Sequence, residues 1–478
     1  MRILIDCSVA AHSGSRTGVP RVVWSLIREA LNANSATVNA LQGPNSHTCQ
    51  STIFHDGECF PYDSSELSTS LRMRSDILSF APWGYRPLAT AVCRVVGNKA
   101  LKRWLLPDAG HLGIFRPLVK KQVKREQQER QSHTEWSKPG EGDILLLPDA
   151  YWSGAPIWPA VAEARRNGAL VVSVMYDLIP LTHPQFVPEG SGDSFAEYVR
   201  KTAENSDLIF AISDTIRDEC RAEISKRWPG LIAPEKIGSF RLGADLPKSQ
   251  GEISATITKL FSPSNRQTPY IMVSTFDPRK NHKYLLETFE LFWQTHPDAS
   301  LCLIGGRGWM SKDLLDRIEK HARFGKQLFK FHSMADAELE FCYQNARGVI
   351  CPSHVEGFGL PIVEALAYGR KAFLNDTRIH REIGKDDCEY FDSSCRDSLL
   401  KLLTRWEVRL ASGQPVEQDC RRPTSWQEAT NGLLAQCIDA YRARQTAISK
   451  QPTSGASNLN IRISRSALAP VAAAKTGR

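Results

Sequence analysis

Two glutamates eight positions apart, Glu356 and Glu364, could accept hydrogen bonds from the hydroxyl groups of a ligand. Their segment, residues 351–369, reads CPSHVEGFGLPIVEALAYG. An apolar strand opens it, and Pro361 suits the first turn of a helix that Gly369 can end. Backbone N–H groups at a glycine-flanked helix start can hold a phosphate. The segment therefore predicts a diphosphate site between two carboxylates, although Glu364 alone could serve only to oppose the helix dipole.

Two adjacent cations, Arg279 and Lys280, follow a second apolar strand at residues 270–273 and precede a helical pattern at residues 283–293. They could neutralise a departing diphosphate, whose negative charge grows as its bond to a sugar breaks. The alternative is that Arg279 and Lys280 are solvated surface charges without a partner.

Three other loops follow apolar strands, and each carries one candidate residue. Gly305, in IGGRGW, and Gly18, in SRTGVPR, would let the backbone approach a nucleotide, or would form plain turns. Asp177, in MYDLIPLTHP, is a candidate for contact with the acceptor, the molecule that receives the sugar. The alternative is that Asp177 belongs to a structural turn. His183 in the same segment is interpreted as a loop histidine.

The two charged segments resemble conserved motifs of glycosyltransferase family four. Residues 351–369 resemble its E-x7-E motif, and TFDPRKNH at residues 275–282 resembles its E-P-R-K-N segment. The resemblance covers nearly the whole chain. It implies a GT-B fold, a nucleotide-diphosphate sugar as donor, retention of anomeric configuration, and no need for a metal ion.

The resemblance also implies roles for single residues. Glu356 would contact hydroxyls of the donor sugar, Glu364 those of the ribose, and Lys280 the pyrophosphate. The backbone amides near the phosphates would be those of Phe358, Gly359 and Leu360. Gly18 would reach toward the donor phosphate and Gly305 toward the nucleotide.

Three positions depart from the family pattern. Asp277 replaces the usual glutamate, and Thr275 stands where many members carry an arginine, so Arg279 would supply the second cation. Tyr176 stands where relatives carry a histidine beside the reacting centre. A phenol is a weak base near neutral pH. This change argues against deprotonation of the acceptor at that position.

Short apolar runs that alternate with helical patterns would hold these residues in place. Such runs indicate parallel sheets covered on both faces, and ligands bind beyond the carboxyl ends of their strands. We therefore predict an α/β protein with two doubly wound Rossmann-like domains that face one another across a cleft. The predicted strands are residues 2–6, 144–147, 170–175, 208–212, 270–273, 301–304 and 348–351.

The alternation predicts the domain limits. We expect an acceptor-binding domain at residues 1–247, a connector rich in Ser, Thr and Pro at 248–268, a nucleotide-sugar-binding domain at 269–447 and a disordered tail at 448–478. A chain of 478 residues is too long for one core, since cores stop growing at about 250–300 residues.

Composition excludes several classes of protein. Twelve cysteines without a C-x-x-C pair predict neither a zinc site nor a disulfide framework. The first residues hold only three consecutive apolar positions, too few for a secretory signal, and no run approaches the length of a membrane span. We expect a cytoplasmic enzyme without a metal cofactor and without a nucleic-acid partner.

One segment does not fit the alternation. Residues 84–138 hold twelve Lys and Arg against four acidic residues, an excess that equals the formal net charge of +8 of the whole chain. Apolar residues lie between these charges, so the insertion predicts contact with an anionic membrane at the inner face of the plasma membrane, or with an anionic acceptor. A solvated insertion without a partner is equally compatible.

The sequence thus predicts a glycosyltransferase that moves a sugar to a glycan or lipid-linked glycan acceptor. Similarity to mannosyltransferases of cell-surface polysaccharide and lipopolysaccharide assembly makes mannose from GDP-mannose the first expectation. The alternatives are a non-catalytic nucleotide-binding scaffold, a sugar-nucleotide epimerase and a glycogen-synthase-like polymerase. A Rossmann dehydrogenase is disfavoured because no G-x-G-x-x-G opens the first helix.

Overall fold

A computed structural model describes most of the chain, namely residues 1–13, 18–38, 47–55, 58–62, 138–152, 157–245, 251–262, 268–332, 334–413 and 422–450. These residues contain two β-sheets. The first sheet has the strand order β3-β2-β1-β4-β5-β6-β7. Its strands are β1 (Arg2–Asp6), β2 (Thr48–His55), β3 (Glu58–Pro61), β4 (Asp143–Leu147), β5 (Leu170–Met175), β6 (Leu208–Ala211) and β7 (Ile237–Ser239). β1 pairs parallel with β2 and β4, β6 pairs parallel with β5 and β7, and β3 runs antiparallel to β2.

The second sheet has six strands, in the order β10-β9-β8-β11-β12-β13, and every pair in it is parallel. Dinucleotide-binding sheets have this strand order. The chain builds one half of the sheet outward from β8 and then returns to the centre to build the other half outward from β11. The strands are β8 (Tyr270–Val273), β9 (Leu301–Ile304), β10 (Leu328–Phe331), β11 (Gly348–Cys351), β12 (Ala372–Asn375) and β13 (Glu389–Phe391).

Helices connect the strands. Those of residues 1–245 are α1 (Ser8–Ser13), α2 (Val19–Val38), α3 (Trp158–Arg166), α4 (Ile179–Thr182), α5 (Ser191–Asn205) and α6 (Asp214–Arg227). Those of residues 251–450 are α7 (Ala255–Leu260), α8 (His282–Thr295), α9 (Lys312–Glu319), α10 (Asp336–Asn345), α11 (Leu360–Ala367), α12 (Arg378–Gly384), α13 (Arg396–Ala411) and α14 (Trp426–Ser449). Among these helices of the described residues, none combines the length and the apolar character needed to span a bilayer.

Burial on both faces explains why the strands are short apolar runs. All four residues of β9 and of β11 are buried, as expected where helices cover a parallel sheet on both sides. On one face of the second sheet, β8 and β9 pack with α8 and α13 in a single apolar cluster that includes Phe289 and Trp406. A rigid sheet of this kind holds the loops beyond its strands in fixed positions.

The predicted α/β class with two sheets is confirmed. All seven predicted strands are present to within one residue at each end, and the six others were not predicted. Within residues 248–268, α7 forms a short helix, and α14 extends to Ser449. Residues 84–137 of the basic insertion and residues 451–478 of the tail lie outside the described residues. The predicted domain limits and the cleft stay predictions.

The chain divides into two compact units, each defined by the contacts among its own residues. The first comprises Met1–Tyr151 with Ala155–Val171, and the second comprises Trp152–Gly154 with Val172–Arg478. Apart from Gly18, every candidate site residue belongs to the second unit.

Candidate functional site

The candidate site lies at the point where the order of the second sheet reverses. β8 and β11 are neighbours there. The strand that follows β8 in the chain lies on one side of this pair, and the strand that follows β11 lies on the other side. Ligands of open α/β sheets bind beyond the carboxyl ends of strands at such a point. The segment with Arg279 and Lys280 follows β8, and the segment with Glu356 follows β11. The topology therefore explains why two segments more than 70 residues apart form one site.

The loop after β8 is tightly turned. A single 3₁₀ turn, Pro278–Lys280, is closed by a hydrogen bond from the Lys280 N–H to the carbonyl of Asp277 (3.1 Å). Asn281 follows in the left-handed region (φ 59°), which asparagine tolerates better than most residues. The His354 N–H donates to the carbonyl of Arg279 (2.8 Å) and thereby joins this loop to the one after β11.

The loop after β11 forms the N-terminus of α11. Gly359 takes a left-handed conformation (φ 93°) at the N-cap, and its carbonyl accepts from the Ile362 N–H (2.9 Å). Within the described part of the chain, the backbone N–H groups of Phe358, Gly359 and Leu360 have no acceptor. Pro361 lies in the first turn, and Gly369 (φ 64°) follows the end of the helix, both as predicted. The helix start therefore offers N–H groups to an anion.

Three charged side chains meet between the two loops. The Lys280 Nζ donates to Glu356 Oε1 (2.5 Å), and Arg279 Nη1 donates to Glu356 Oε2 (3.1 Å). The Glu356 and Lys280 side chains are each only 11% exposed, so little water screens them. Arg279 also pairs with Asp277 through its Nε (3.5 Å), and Asp277 is itself buried. Lys280 and Arg279 therefore share the carboxylate of Glu356, and Asp277 is a second anionic partner of Arg279.

The cations decide the protonation of this carboxylate. Burial alone raises the pKa of Glu356, but the charges of Lys280 and Arg279 outweigh burial and lower the pKa from 4.5 to about 2. Asp277 differs, because burial raises its pKa against the pull of the same two cations. Neither oxygen of Asp277 has a hydrogen-bond partner in the described residues, although Asp277 forms an ion pair with Arg279. Glu356 is thus the stable anion of the cluster.

The end of β5 contacts the Glu356 loop directly. A Cβ on Gly357 would lie 2.3 Å from the carbonyl oxygen of Tyr176, so only glycine fits there. Ser213, just after β6, donates from its hydroxyl to the Gly357 carbonyl (3.1 Å). Asp177 accepts from the Ile179 N–H (3.1 Å), and burial raises the pKa of Asp177 despite nearby Arg279. Asp177 therefore belongs to the same charged region as Glu356.

The other predicted residues are placed as follows. Glu364 is buried and accepts a hydrogen bond from the hydroxyl of Tyr343 (2.6 Å). Gly305 (φ 156°) packs against the loop after β8, since a Cβ there would lie 1.9 Å from the Ser274 carbonyl oxygen. Gly18 is exposed in the first unit (φ 62°), and its carbonyl accepts from the Arg21 N–H at the start of α2. Their predicted ligand contacts stay predictions.

Two residues near the site were not predicted from the sequence. His380, in α12, lines the same small pocket as Glu356. Glu382, also in α12, accepts from the Asp214 N–H, the Thr215 N–H and the Thr215 hydroxyl (2.8, 2.8 and 2.6 Å) at the start of α6. Neither residue stands in a motif, and only the fold brings them to these places.

The cluster has the chemistry of a site for a ligand that carries both an anion and hydroxyl groups. Lys280, Arg279 and the start of α11 provide positive potential for a diphosphate. Glu356 provides a charged acceptor for hydroxyl groups.

Comparison with known proteins agrees with this chemistry. Residues 258–406 match the sequence profile of the family described as Glycosyl transferases group 1. The serotype-specific mannosyltransferase WbdA of Escherichia coli is 24% identical over 448 residues, which cover 91% of this chain and 46% of that protein. The O-antigen chain mannosyltransferase B of Escherichia coli is 28% identical over 202 residues, covering 41% of this chain and 51% of the relative. The chain thus spans about half the length of these relatives.

A solved structure supports the fold alone. The N-terminal domain of trehalose-6-phosphate phosphatase from Candida albicans superposes with a TM-score of 0.51 at 12% identity, covering 91% of this chain and 96% of that chain. Together with the second, parallel sheet and the mostly parallel first sheet, this likeness identifies the fold as GT-B.

Proposed function

We propose that this chain, whose residues 258–406 match the group 1 glycosyl transferases, moves a sugar from a nucleoside-diphosphate donor to a hydroxyl group of an acceptor. The observation that carries the proposal is the contact of Lys280 and Arg279 with Glu356 at the reversal point of the second sheet. These residues provide what the donor requires, namely cations for its diphosphate and a carboxylate for its sugar.

The reaction breaks the bond between the anomeric carbon and a phosphate oxygen. In the transition state the sugar ring becomes positive and the leaving diphosphate gains negative charge. Lys280, Arg279 and the amides at the start of α11 stabilise that negative charge, so their interaction is strongest in the transition state. The acceptor oxygen bonds to the anomeric carbon, and its proton passes to the departing phosphate oxygen. We propose that the anomeric configuration is retained and that no metal ion takes part.

The donor we propose is GDP-mannose. Both Escherichia coli relatives are named as mannosyltransferases, one of them of the O-antigen chain, which supports mannose as the sugar and a growing glycan of the cell surface, free or lipid-linked, as the acceptor. The basic insertion at residues 84–138 supports a cytoplasmic protein that contacts an anionic membrane.

The first test measures donor binding and transfer. A true donor binds the folded protein and raises its melting temperature, so GDP-mannose, GDP-fucose, UDP-glucose and UDP-N-acetylglucosamine are compared by thermal shift. The preferred donor is then offered with a mannose-terminated oligosaccharide, and the anomeric configuration of the product is read by NMR. We expect activity to persist in EDTA. Stabilisation without transfer or donor turnover would indicate a binding scaffold, and conversion of the donor to its epimer would indicate an epimerase.

The second test removes one cation. Lys280→Met should lower kcat/KM about 100-fold or more, the usual effect of losing one electrostatic stabiliser of a transition state. Lys283→Met is the matched control, because Lys283 is exposed at the start of α8. Full activity of Lys280→Met, or equal loss in the control, would contradict the site assignment.

A further inference from the structure

His380 is a buried histidine whose ring has one satisfied nitrogen and one unsatisfied nitrogen. The side chain is 1% exposed. Its Nδ1 lies 2.7 Å from the carbonyl oxygen of Asn375. A carbonyl only accepts, so the Nδ1 must carry the proton. The neutral ring therefore presents Nε2 as a hydrogen-bond acceptor.

Among the described residues this acceptor has no hydrogen-bond partner. The Nε2 atom is buried, and no described group donates to it. Burial lowers the pKa of His380 in spite of the nearby Glu356 carboxylate, so the ring stays neutral near pH 7. A buried acceptor without a donor is unfavourable, and such groups in native proteins are commonly met by a ligand or a water molecule.

The unsatisfied nitrogen belongs to the pocket that holds Glu356. The pocket lies beyond β8 and β11, and its lining includes Ser274, Ser353, Glu356, Gly359 and His380. It is narrow, with space for a single group of the size of a water molecule or a hydroxyl. Glu356 and the neutral His380 both accept hydrogen bonds. The side of the pocket that these two groups line therefore suits a hydroxyl donor and disfavours a phosphate oxygen, which brings no proton, whereas the Gly359 N–H suits an anion.

We propose that His380 selects the sugar of the donor, with Nε2 accepting a hydrogen bond from one hydroxyl group of the sugar that Glu356 also binds. This inference rests on the proposed function and extends it from the diphosphate to the sugar. It predicts an effect on nucleotide sugars and none on the nucleoside diphosphate alone.

Two substitutions separate the two ring nitrogens. His380→Asn keeps an N–H that can donate to the Asn375 carbonyl but removes the acceptor at the position of Nε2. His380→Gln places an amide oxygen close to that position. The affinity for GDP-mannose and for GDP is measured by calorimetry on the full-length protein. We expect His380→Asn to bind GDP-mannose about tenfold more weakly, the effect of one lost hydrogen bond, with unchanged affinity for GDP. His380→Gln should recover most of the loss.

Thr377→Ala is the control for a disturbance of α12. The Thr377 side chain caps this helix by accepting from the His380 N–H (3.3 Å) and does not line the pocket, so its loss weakens the helix and removes no group from the pocket. It should lower the melting temperature and leave the ratio of the two affinities unchanged. A wild-type protein that binds no sugar nucleotide would refute the proposed function itself.

Binding of GDP-mannose by His380→Asn as tight as by the wild type would refute the inference while leaving the proposed function intact, and would assign the pocket to a water molecule. An equal loss for GDP would also refute it. If the variants do not fold, wild-type protein is tested with the mono-deoxy forms of the donor sugar. One of them must then bind about tenfold more weakly than the parent donor.

Discussion

Replacing Glu356 by glutamine should destabilise the protein by about 3 kcal/mol at neutral pH. The carboxyl group has a pKa of about 2 in the fold against an ordinary 4.5, because Lys280 and Arg279 hold it in its charged form. A difference of this size between folded and unfolded chain corresponds to about 3 kcal/mol of stability. The cost of breaking a buried ion pair by removing one partner, about 3–5 kcal/mol, is similar.

The dependence on pH has a definite sign. Since folding lowers the pKa of Glu356, its contribution to stability is complete above pH 4.5 and is lost as the pH falls toward 2. The difference between wild type and Glu356→Gln should therefore be constant from pH 7 to pH 5 and fall to about half near pH 3. Urea unfolding followed by tryptophan fluorescence at each pH gives both free energies.

Glu287→Gln is the matched control. Glu287 pairs with Arg317 at the surface, where both side chains are 37% exposed, so its loss should change stability by less than about 1 kcal/mol. Two results would refute the conclusion that the two cations hold this carboxyl group in its charged form. One is equal stability of wild type and Glu356→Gln at pH 7, and the other is a stability difference that grows as the pH falls. The same variant should bind GDP about tenfold more tightly at low salt, because the diphosphate no longer competes with a carboxylate.

Three further substitutions test how the site is supported. Glu382→Gln weakens three hydrogen bonds at the helix that begins at Asp214 and should lower the unfolding free energy by about 2 kcal/mol, measured in urea; an unchanged value would contradict the contact. Gly305→Ala brings a Cβ into the Ser274 carbonyl and should cost about 1–3 kcal/mol, seen as a lower melting temperature; wild-type stability would show that the loop adapts. Ser425→Ala removes the N-cap of α14 and should cost about 1 kcal/mol in urea unfolding, whereas a cost below 0.3 kcal/mol, roughly, would indicate that water replaces the cap.

The sequence was sufficient for the fold class because buried parallel strands have a recognisable composition. β8, β9 and β11 are continuous apolar runs bounded by polar turns, β5 is apolar except for Ser173, and all four were predicted. β13 has only three residues, Glu389–Phe391, and Lys330 interrupts the four residues of β10, so neither has a long apolar run. Pairing with a neighbouring strand, which composition does not record, makes these segments strands.

The residues of the candidate site likewise divide into those that the sequence could predict and those that it could not. Glu356, Arg279 and Lys280 could be predicted because they stand in motifs with fixed spacing. His380 could not, because it lies 24 positions after Glu356 in a seven-residue helix, and one histidine at that distance carries no pattern. Its relevance depends on which nitrogen bonds to Asn375, a property of the folded chain alone.

The contact between Lys280 and Glu356 limits which molecules can bind at the candidate site. A ligand that brings only negative charge separates Lys280 from Glu356. The carboxylate of Glu356 then loses its cationic partner and remains near acidic residues such as Asp277. A molecule that brings only hydroxyl groups gives the lysine neutral acceptors in place of a charged one, and these bind it more weakly. Favourable binding requires an anionic group and hydroxyl groups in one molecule, so inorganic phosphate and free monosaccharides are poor competitors for this position.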